Sequence, residues 1–312
     1  MLVFLLKRTG AALVLVFVVS FISFALTWVT PGDPARAILG VSATNEQVAR
    51  KRTELGLDQD VLGAYWGWLT HALTGDLGRS WFTSQPVAGS IADRLPVTLT
   101  ITIAAAVLAG IIGITLGLWA AARRGAVDSA IQPFAVLGFA VPNFIVAILL
   151  LTVFALNLRI LPATGWVDFA DDPGGWVRSI TLPVIALAVA ATAAVAQQTR
   201  NAAIETLQQD YIRTLRGRGL GTASIYLKHV LRNSAPVALT VLSLQFIGLL
   251  SGSVVIERMF ALPGIGALTV GAAGSGDQPV IQGAVITVVV AVVVVNLLMD
   301  LAYAWLNPKV RS

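Results

Sequence analysis

Long apolar runs alternate with short polar stretches along this chain, and the runs set its frame. Six of them, near 9–29, 97–121, 131–156, 181–200, 235–256 and 280–305, can cross a hydrocarbon core, which takes about 20 helical residues. Each reads as a membrane-spanning helix, because in lipid the backbone must bond to itself. The first run follows Lys7-Arg8, as a secretion signal would. Its apolar stretch from Ala11 to Val29 is too long for a signal core and no A-x-A site follows, so it reads as a retained span.

The polar segments orient the spans. With the N-terminus inside, the tail, the loops after spans two and four, and the C-terminus are cytoplasmic. They carry Lys7, Arg8, Arg123, Arg124, Arg200, Arg213, Arg216, Arg218, Lys228, Arg232, Lys309 and Arg311, which is 12 of the 21 basic residues. Basic residues stay on the cytoplasmic side, so both termini are expected there. The acids Asp168, Asp171 and Asp172 lean to the other face.

One external segment is sizeable, the loop 30–96. Thr30-Pro31-Gly32-Asp33-Pro34 stops the first span. Thr44-x-x-Gln47 has capping-box spacing, which predicts a short helix to about Leu55. Tyr65, Trp66, Trp68 and Trp81 follow on an interfacial segment. They read as an aromatic belt at headgroup level or as a docking surface for an external partner.

Within the spans the polar residues are Gln132, Asn143, Gln197, Gln245, Gln282 and Asn296, while Glu257 and Asp300 sit close to ends. Scarce central charge argues against a proton-driven carrier. Gly113-x-x-x-Gly117 and Gly248-x-x-x-Gly252 have the spacing that lets helices approach closely.

Composition narrows the function. Hydrophobic residues make up 56% and charged residues 12%, against roughly 45–50% and about 25% in soluble domains. No cysteine is present, which excludes disulfides and thiolate metal sites. None of the four lysines follows a glycine, so no Walker A loop exists. Two histidines and no GxSxG leave no metalloprotease or hydrolase signature. No catalytic residue, metal site or nucleic-acid partner is expected, and no cofactor bound by this chain.

The segment 200–233 is too polar to span yet patterned. Ile204, Leu207, Tyr211 and Leu215 form one helical stripe, Gly217-Arg218-Gly219 breaks the helix, and Ile225, Leu227 and Leu231 begin a second. Such a basic amphipathic hairpin could lie on anionic lipid or dock into a groove of a cytoplasmic protein; the pattern does not choose.

Asp210-Tyr211-Ile212-Arg213-Thr214-Leu215-Arg216-Gly217-Arg218-Gly219-Leu220 resembles the EAA loop of permease subunits of binding-protein-dependent ABC importers. Arg213, Thr214 and Leu215 fall at the EAA positions, Gly219 at the glycine, and His229 and Leu231 at the later I and L. Arg213 replaces the acid and Arg232 the proline, departures that resemble the dipeptide, oligopeptide and nickel branch. Gly75-Asp76-Leu77-Gly78-Arg79-Ser80, Arg94-Leu95-Pro96-Val97-Thr98-Leu99, Val141-Pro142-Asn143-Phe144, Leu161-Pro162-Ala163-Thr164-Gly165-Trp166 and Glu257-Arg258-Met259-Phe260-Ala261-Leu262-Pro263-Gly264-Ile265-Gly266 resemble further signatures of that branch.

The resemblance implies an all-α membrane protein of six transmembrane helices with the type I ABC importer permease fold. Its parts would be the tail and first helix (1–29), an extracytoplasmic loop domain (30–96), and a permease core (97–312) that includes the coupling loop 200–233. It implies a bacterial inner-membrane permease, one half of a pathway for peptides or a similar small solute. Its partners would be a paralogous permease, two cytoplasmic ATPases that hold the ATP and Mg, and an extracytoplasmic solute-binding protein. Leu207, Tyr211, Arg213, Thr214, Leu215, Gly217, Gly219, Leu220 and His229 would couple to the ATPase, with the stripe of Leu207, Tyr211 and Leu215 seated in its groove. Gln197, Gln245 and Asn296 are candidates to line the path. Trp66, Trp68, Trp81, Glu257, Pro263 and Gly264 are candidates for binding-protein docking. Dipeptides, longer peptides, nickel chelates, glutathione and haem all remain open as solutes.

Overall fold

A computed structural model describes residues 2–29, 32–123, 138 and 140–306. Thr30, Pro31, Arg124, Gln132, Lys309 and Arg311, named above, lie outside the described residues, as do 131–137 and 139 of the third run. Among the described residues the regular structure is helical, with one isolated bridge between Arg79 and Pro86. The helices are α1 (Leu2–Val29), α2 (Pro34–Leu39), α3 (Asn45–Glu54), α4 (Val61–Leu73), α5 (Val87–Ala122), α6 (Asn143–Asn157), α7 (Pro173–Leu207), α8 (Asp210–Gly217), α9 (Thr222–Met259), α10 (Ile265–Ser275) and α11 (Gln278–Leu306). α6 ends in a π-helical segment, Leu151–Asn157, and α9 carries another at Ile225–Val230.

Five described helices, α1, α5, α7, α9 and α11, are long and apolar enough to span a membrane. The third expected span is described as α6, which is shorter. Helix ends differ from expectation, notably at α5. It starts at Val87, ten residues before the expected 97, and carries Pro96 inside it. Proline removes one helical hydrogen bond, which suggests an end at that point. The turns before it hold because Val87 and Ile91 are buried in a core with Ile265, Ala272, Val280 and Ala284. α7 likewise begins at Pro173, where a proline at the first position suits a helix start, and runs on through Pro183.

The chain divides into two compact units. One is Leu2–Thr98 with Pro263–Val293. In it α3 starts with the expected capping box: Gln47 N donates to Thr44 Oγ1 at 3.3 Å and Thr44 N to Gln47 Oε1 at 2.9 Å. The turn before α5 is tied to α11 through Asp277, which accepts hydrogen bonds from Ser80 Oγ and, at 3.1 Å, from Trp81 N. Thr98 Oγ1 accepts from Ile265 N at 2.9 Å and so caps the start of α10. α11 lies close to α5, because a Cβ on Gly283 would stand 2.6 Å from Val87 Cγ1.

The other unit is Leu99–Leu262 with the chain from Val294. α7 carries many small buried residues, among them Ala186, Ala188, Ala191, Ala193, Ala194 and Ala196. α5 meets it through the first glycine pair. A Cβ on Gly113 would stand 2.7 Å from Val195 Cβ, and one on Gly117 2.6 Å from Ala196 O and 3.0 Å from Arg200 N. The second pair is only half used. Gly252 faces Asn143 Nδ2 at 3.1 Å and Leu187, while Gly248 faces open space apart from Gln245.

These distances separate the glycines. Gly117→Ala pushes a methyl into backbone that cannot retreat, and overpacking of this kind costs about 1–3 kcal/mol. Its purified protein should melt measurably lower in detergent than the parent. Gly248→Ala, whose methyl meets only Gln245 Oε1 at 3.8 Å, should melt with the parent.

Candidate functional site

The polar hairpin forms by two breaks in otherwise continuous helix. α7 carries on past Arg200 to Leu207, and Gln209 turns extended before α8 begins at Asp210. An acid in the first turn suits the positive end of the helix dipole. α8 ends in a Schellman turn: Leu220 N donates to Leu215 O at 3.2 Å and Gly219 N to Arg216 O at 2.9 Å. Gly219 sits at φ 81°, the left-handed position that such a cap requires. Leu215 and Leu220 pack in the same cluster, the apolar contact that accompanies this motif. Gly217 remains helical, inside the last turn of α8.

The stripe turns inward. Ile212, fully buried, is the centre of a core with Ala121, Ala203, Ile225 and Val230, against which Ile204, Leu207, Leu215, Leu220 and Tyr226 pack. Leu207, Leu215 and Leu220 therefore hold the hairpin to its own chain. The expectation had the stripe of Leu207, Tyr211 and Leu215 seated in a partner's groove; in this chain Leu207 and Leu215 are half-buried against its own core. The reason is periodic: Ile212 and Leu215 share the inner face of α8, and Tyr211 falls at its flank, 41% exposed. Its hydroxyl accepts from Asn233 Nδ2 at 3.0 Å, and partial burial pushes its pKa up by desolvation.

What the hairpin presents is different. Asp210, Arg213, Thr214 and Gly217 lie together on the outer face of α8 and are exposed, as are Arg216, Arg218 and Gly219. His229 is half-buried, while Leu227 beside it is 65% exposed. The surface is thus cationic with an apolar tip, and the first two positions of the EAA triplet, Arg213 and Thr214, face outward.

The other candidates scatter. Gln197 and Gln245 are half-buried, and Gln197 Nε2 reaches Asn201 Oδ1 at 3.5 Å. Asn296 Oδ1 is buried without a hydrogen-bond partner. Among the described residues no hydrogen bond joins any two of these three amides. A cavity of about 500 Å³ lies between α5 and α7, bounded by Leu108, Ile112, Leu116, Ala188, Thr192 and Ala196. It is apolar, and none of the three amides lines it.

Of the docking candidates, Trp66 is 54% exposed and Pro263 is exposed. Trp68 and Trp81 are half-buried, and Trp81 is fixed through its backbone to Asp277. Glu257 and Gly264 are buried, so they cannot touch a docked protein as the chain stands. Glu257 is drawn in at the end of α9, where Leu262 N donates to its carbonyl at 2.8 Å. Sequence reading missed Asp277, and quoted Ser80 only as the end of a signature; their bond joins positions 197 apart, and no local pattern announces it.

Known proteins resemble this chain over its whole length. The family described as "Binding-protein-dependent transport system inner membrane component" matches residues 113–312, and the N-terminal membrane-component family of the same systems matches residues 1–102. A peptide transport system permease protein of Brucella abortus (strain 2308) is 41% identical over 308 residues, covering 98% of each chain. A glutathione transport system permease protein of Escherichia coli O6:H1 is 37% identical over 312 residues, covering 100% of this chain and 99% of its own. Among solved structures, a chain of the inward-facing MetNI methionine ABC transporter superposes with a TM-score of 0.59 at 15% identity, covering 72% of this chain and all of that one. The last likeness bears on fold alone, and it agrees with an all-α type I importer permease. The matched family spans, the hairpin and the apolar helices together place this chain in the family of binding-protein-dependent transport system inner membrane components, as a permease subunit of an ABC importer.

Proposed function

We propose that the chain forms one half of the translocation pathway of an importer for peptides, and that it catalyses no reaction itself. The observation that carries the substrate class is the end-to-end identity to permeases named for peptide and glutathione transport. ATP and Mg act on two partner ATPases, and a paralogous permease completes the path. Both termini face the cytoplasm of a bacterial inner membrane, following the basic residues. The chain has no cysteine, so single ones report topology cleanly. Ser42→Cys should label from outside and Thr222→Cys only after the membrane is opened; both sites are exposed. The reverse pattern would overturn the orientation.

The hairpin couples through its outer face. Arg213, Thr214 and Gly217, flanked by Tyr211 and Leu227, meet the ATPase, while Ile212, Leu215 and Leu207 transmit its movement into α7 and α9. Such rigid-body movement about a fixed path is how many carriers alternate access. Two classes of variant distinguish these roles. Leu215→Asp puts a charge in the hairpin's own core, costs several kcal/mol, and should lower the melting temperature of the purified permease. Arg213→Glu leaves that core intact, and should melt with the parent yet lose ATPase on co-purification. Full ATPase recovery with Arg213→Glu would show that docking lies elsewhere.

Selectivity rests on a soluble binding protein. The spans offer scattered amides and an apolar cavity, whereas tight capture of a charged peptide terminus needs paired, desolvated groups. Calorimetry on the purified complex should show no micromolar peptide binding until the binding protein is added. Micromolar binding without it would send the search back to Gln197, Gln245 and Asn296.

A further inference from the structure

α4 was read from sequence as a belt or a docking surface, and its geometry departs from both. In a belt the tyrosine hydroxyl reaches the headgroups while the ring sits in lipid. Tyr65 does the opposite. It is buried, and its hydroxyl closes on Ser20 of α1 at 2.8 Å and on Phe17 O at 3.4 Å. Its ring packs edge-on to Phe17, Phe21 and Phe24, while Trp68 lies against Phe24 with its Nε1 buried and unpartnered. Ser20 stands eight residues inside the apolar run Arg8–Trp28. At about 1.5 Å per residue this is ~12 Å below the Trp28 end. The contact therefore lies at hydrocarbon depth.

The rest of α4 divides cleanly around its axis. Val61, Tyr65, Trp68 and Ala72 share the face that meets α1. About a quarter turn away, Leu62, Trp66, Leu69 and Leu73 form a second stripe by their steps of four, three and four. Leu62 is 58% exposed and Leu73 80%. Gly63, Gly67, Thr70, His71 and Thr74 make the third face, and Asp60 caps the start by accepting from Gly63 N at 2.9 Å. α1 likewise exposes Leu13, Val14, Val18, Ile22 and Leu26.

We propose that α4 lies in the plane of the membrane, embedded in the leaflet nearest Trp28. Leu62, Trp66, Leu69 and Leu73 contact acyl chains, and Thr70 and His71 face water. A helix with one apolar and one polar face, uncharged along its apolar side, is stable where headgroups meet acyl chains. Tyr65 and Trp68 clamp it to α1, so it widens the lipid-facing side of the first span rather than offering a free external surface.

The test uses the full-length protein in phosphatidylcholine liposomes, with single cysteines at Leu62, Trp66, Leu73, Gly67 and Thr70 carrying nitroxide labels. Collision with oxygen should exceed collision with an aqueous nickel chelate severalfold at Leu62, Trp66 and Leu73, and the order should invert at Gly67 and Thr70. Chelate access at the stripe would overturn the proposal, since the stripe would then face water. Shielding of the stripe from both reagents would overturn it too, since a protein surface would then cover it. Trp66 also touches Phe17; if its variant fails to insert, Leu62 and Leu73 decide the matter.

Discussion

Lipid removes the usual reward for packing apolar side chains together, since a leucine between two helices is no better hidden than one in the bilayer. What remains is close van der Waals approach and hydrogen bonds between helices, and this chain shows both. α5 and α7 touch where Gly113 and Gly117 meet the backbone and small side chains of α7. The run of buried alanines on α7 lets neighbouring helices come near along its length. An alanine-rich helix would be a poor core in water, where area buried sets the gain. Here the absence of bulk is the means of contact.

The hairpin follows the opposite rule, because it leaves the membrane. Ile212, Ile225, Val230 and Leu215 are gathered as in a soluble core, with apolar groups inward and arginines outward. The Schellman turn at Gly219 then fixes where the chain reverses, so that α9 starts beside α8. One short helix thereby has two surfaces, an inner one packed on the permease's own core and an outer one that is exposed.

Much of this was legible. Apolar run length gave the spans, the Thr44 capping box gave α3, and the order of motifs gave the family. The failures have physical causes. Pro96 signals a helix end locally, but burial of Val87 and Ile91 outweighs one lost hydrogen bond. On α8, Tyr211 and Ile212 both fit an apolar stripe, and eight residues are too few for periodicity to choose; the partner core chooses Ile212. The docking set placed Glu257 and Gly264 outside because they follow the expected fifth span, but α9 runs on to Met259 and Glu257 lies buried within it. Gln197, Gln245 and Asn296 were selected for being polar in lipid, a property that says nothing about which faces meet. Asp277 could not be found at all, since its partners Ser80 and Trp81 come from the other end of the chain.

Those distant partners explain why the unit of Leu2–Thr98 with Pro263–Val293 behaves as one body. Tyr65 binds α4 to Ser20 of α1, and Gln282 Nε2 of α11 donates to the Ser20 carbonyl at 2.8 Å. Asp277, one residue before α11, holds the Ser80 turn that leads into α5, and Thr98 of α5 caps α10. Hydrogen bonds buried from water are directional, and breaking one leaves a donor or acceptor unmet at about 1–3 kcal/mol. These bonds link α1, α4, α11, α5 and α10 within the one unit. The hairpin core is gathered instead around apolar contacts of Ala121, Ala203, Ile212, Ile225 and Val230, and apolar contacts tolerate small shifts without leaving a polar atom stranded.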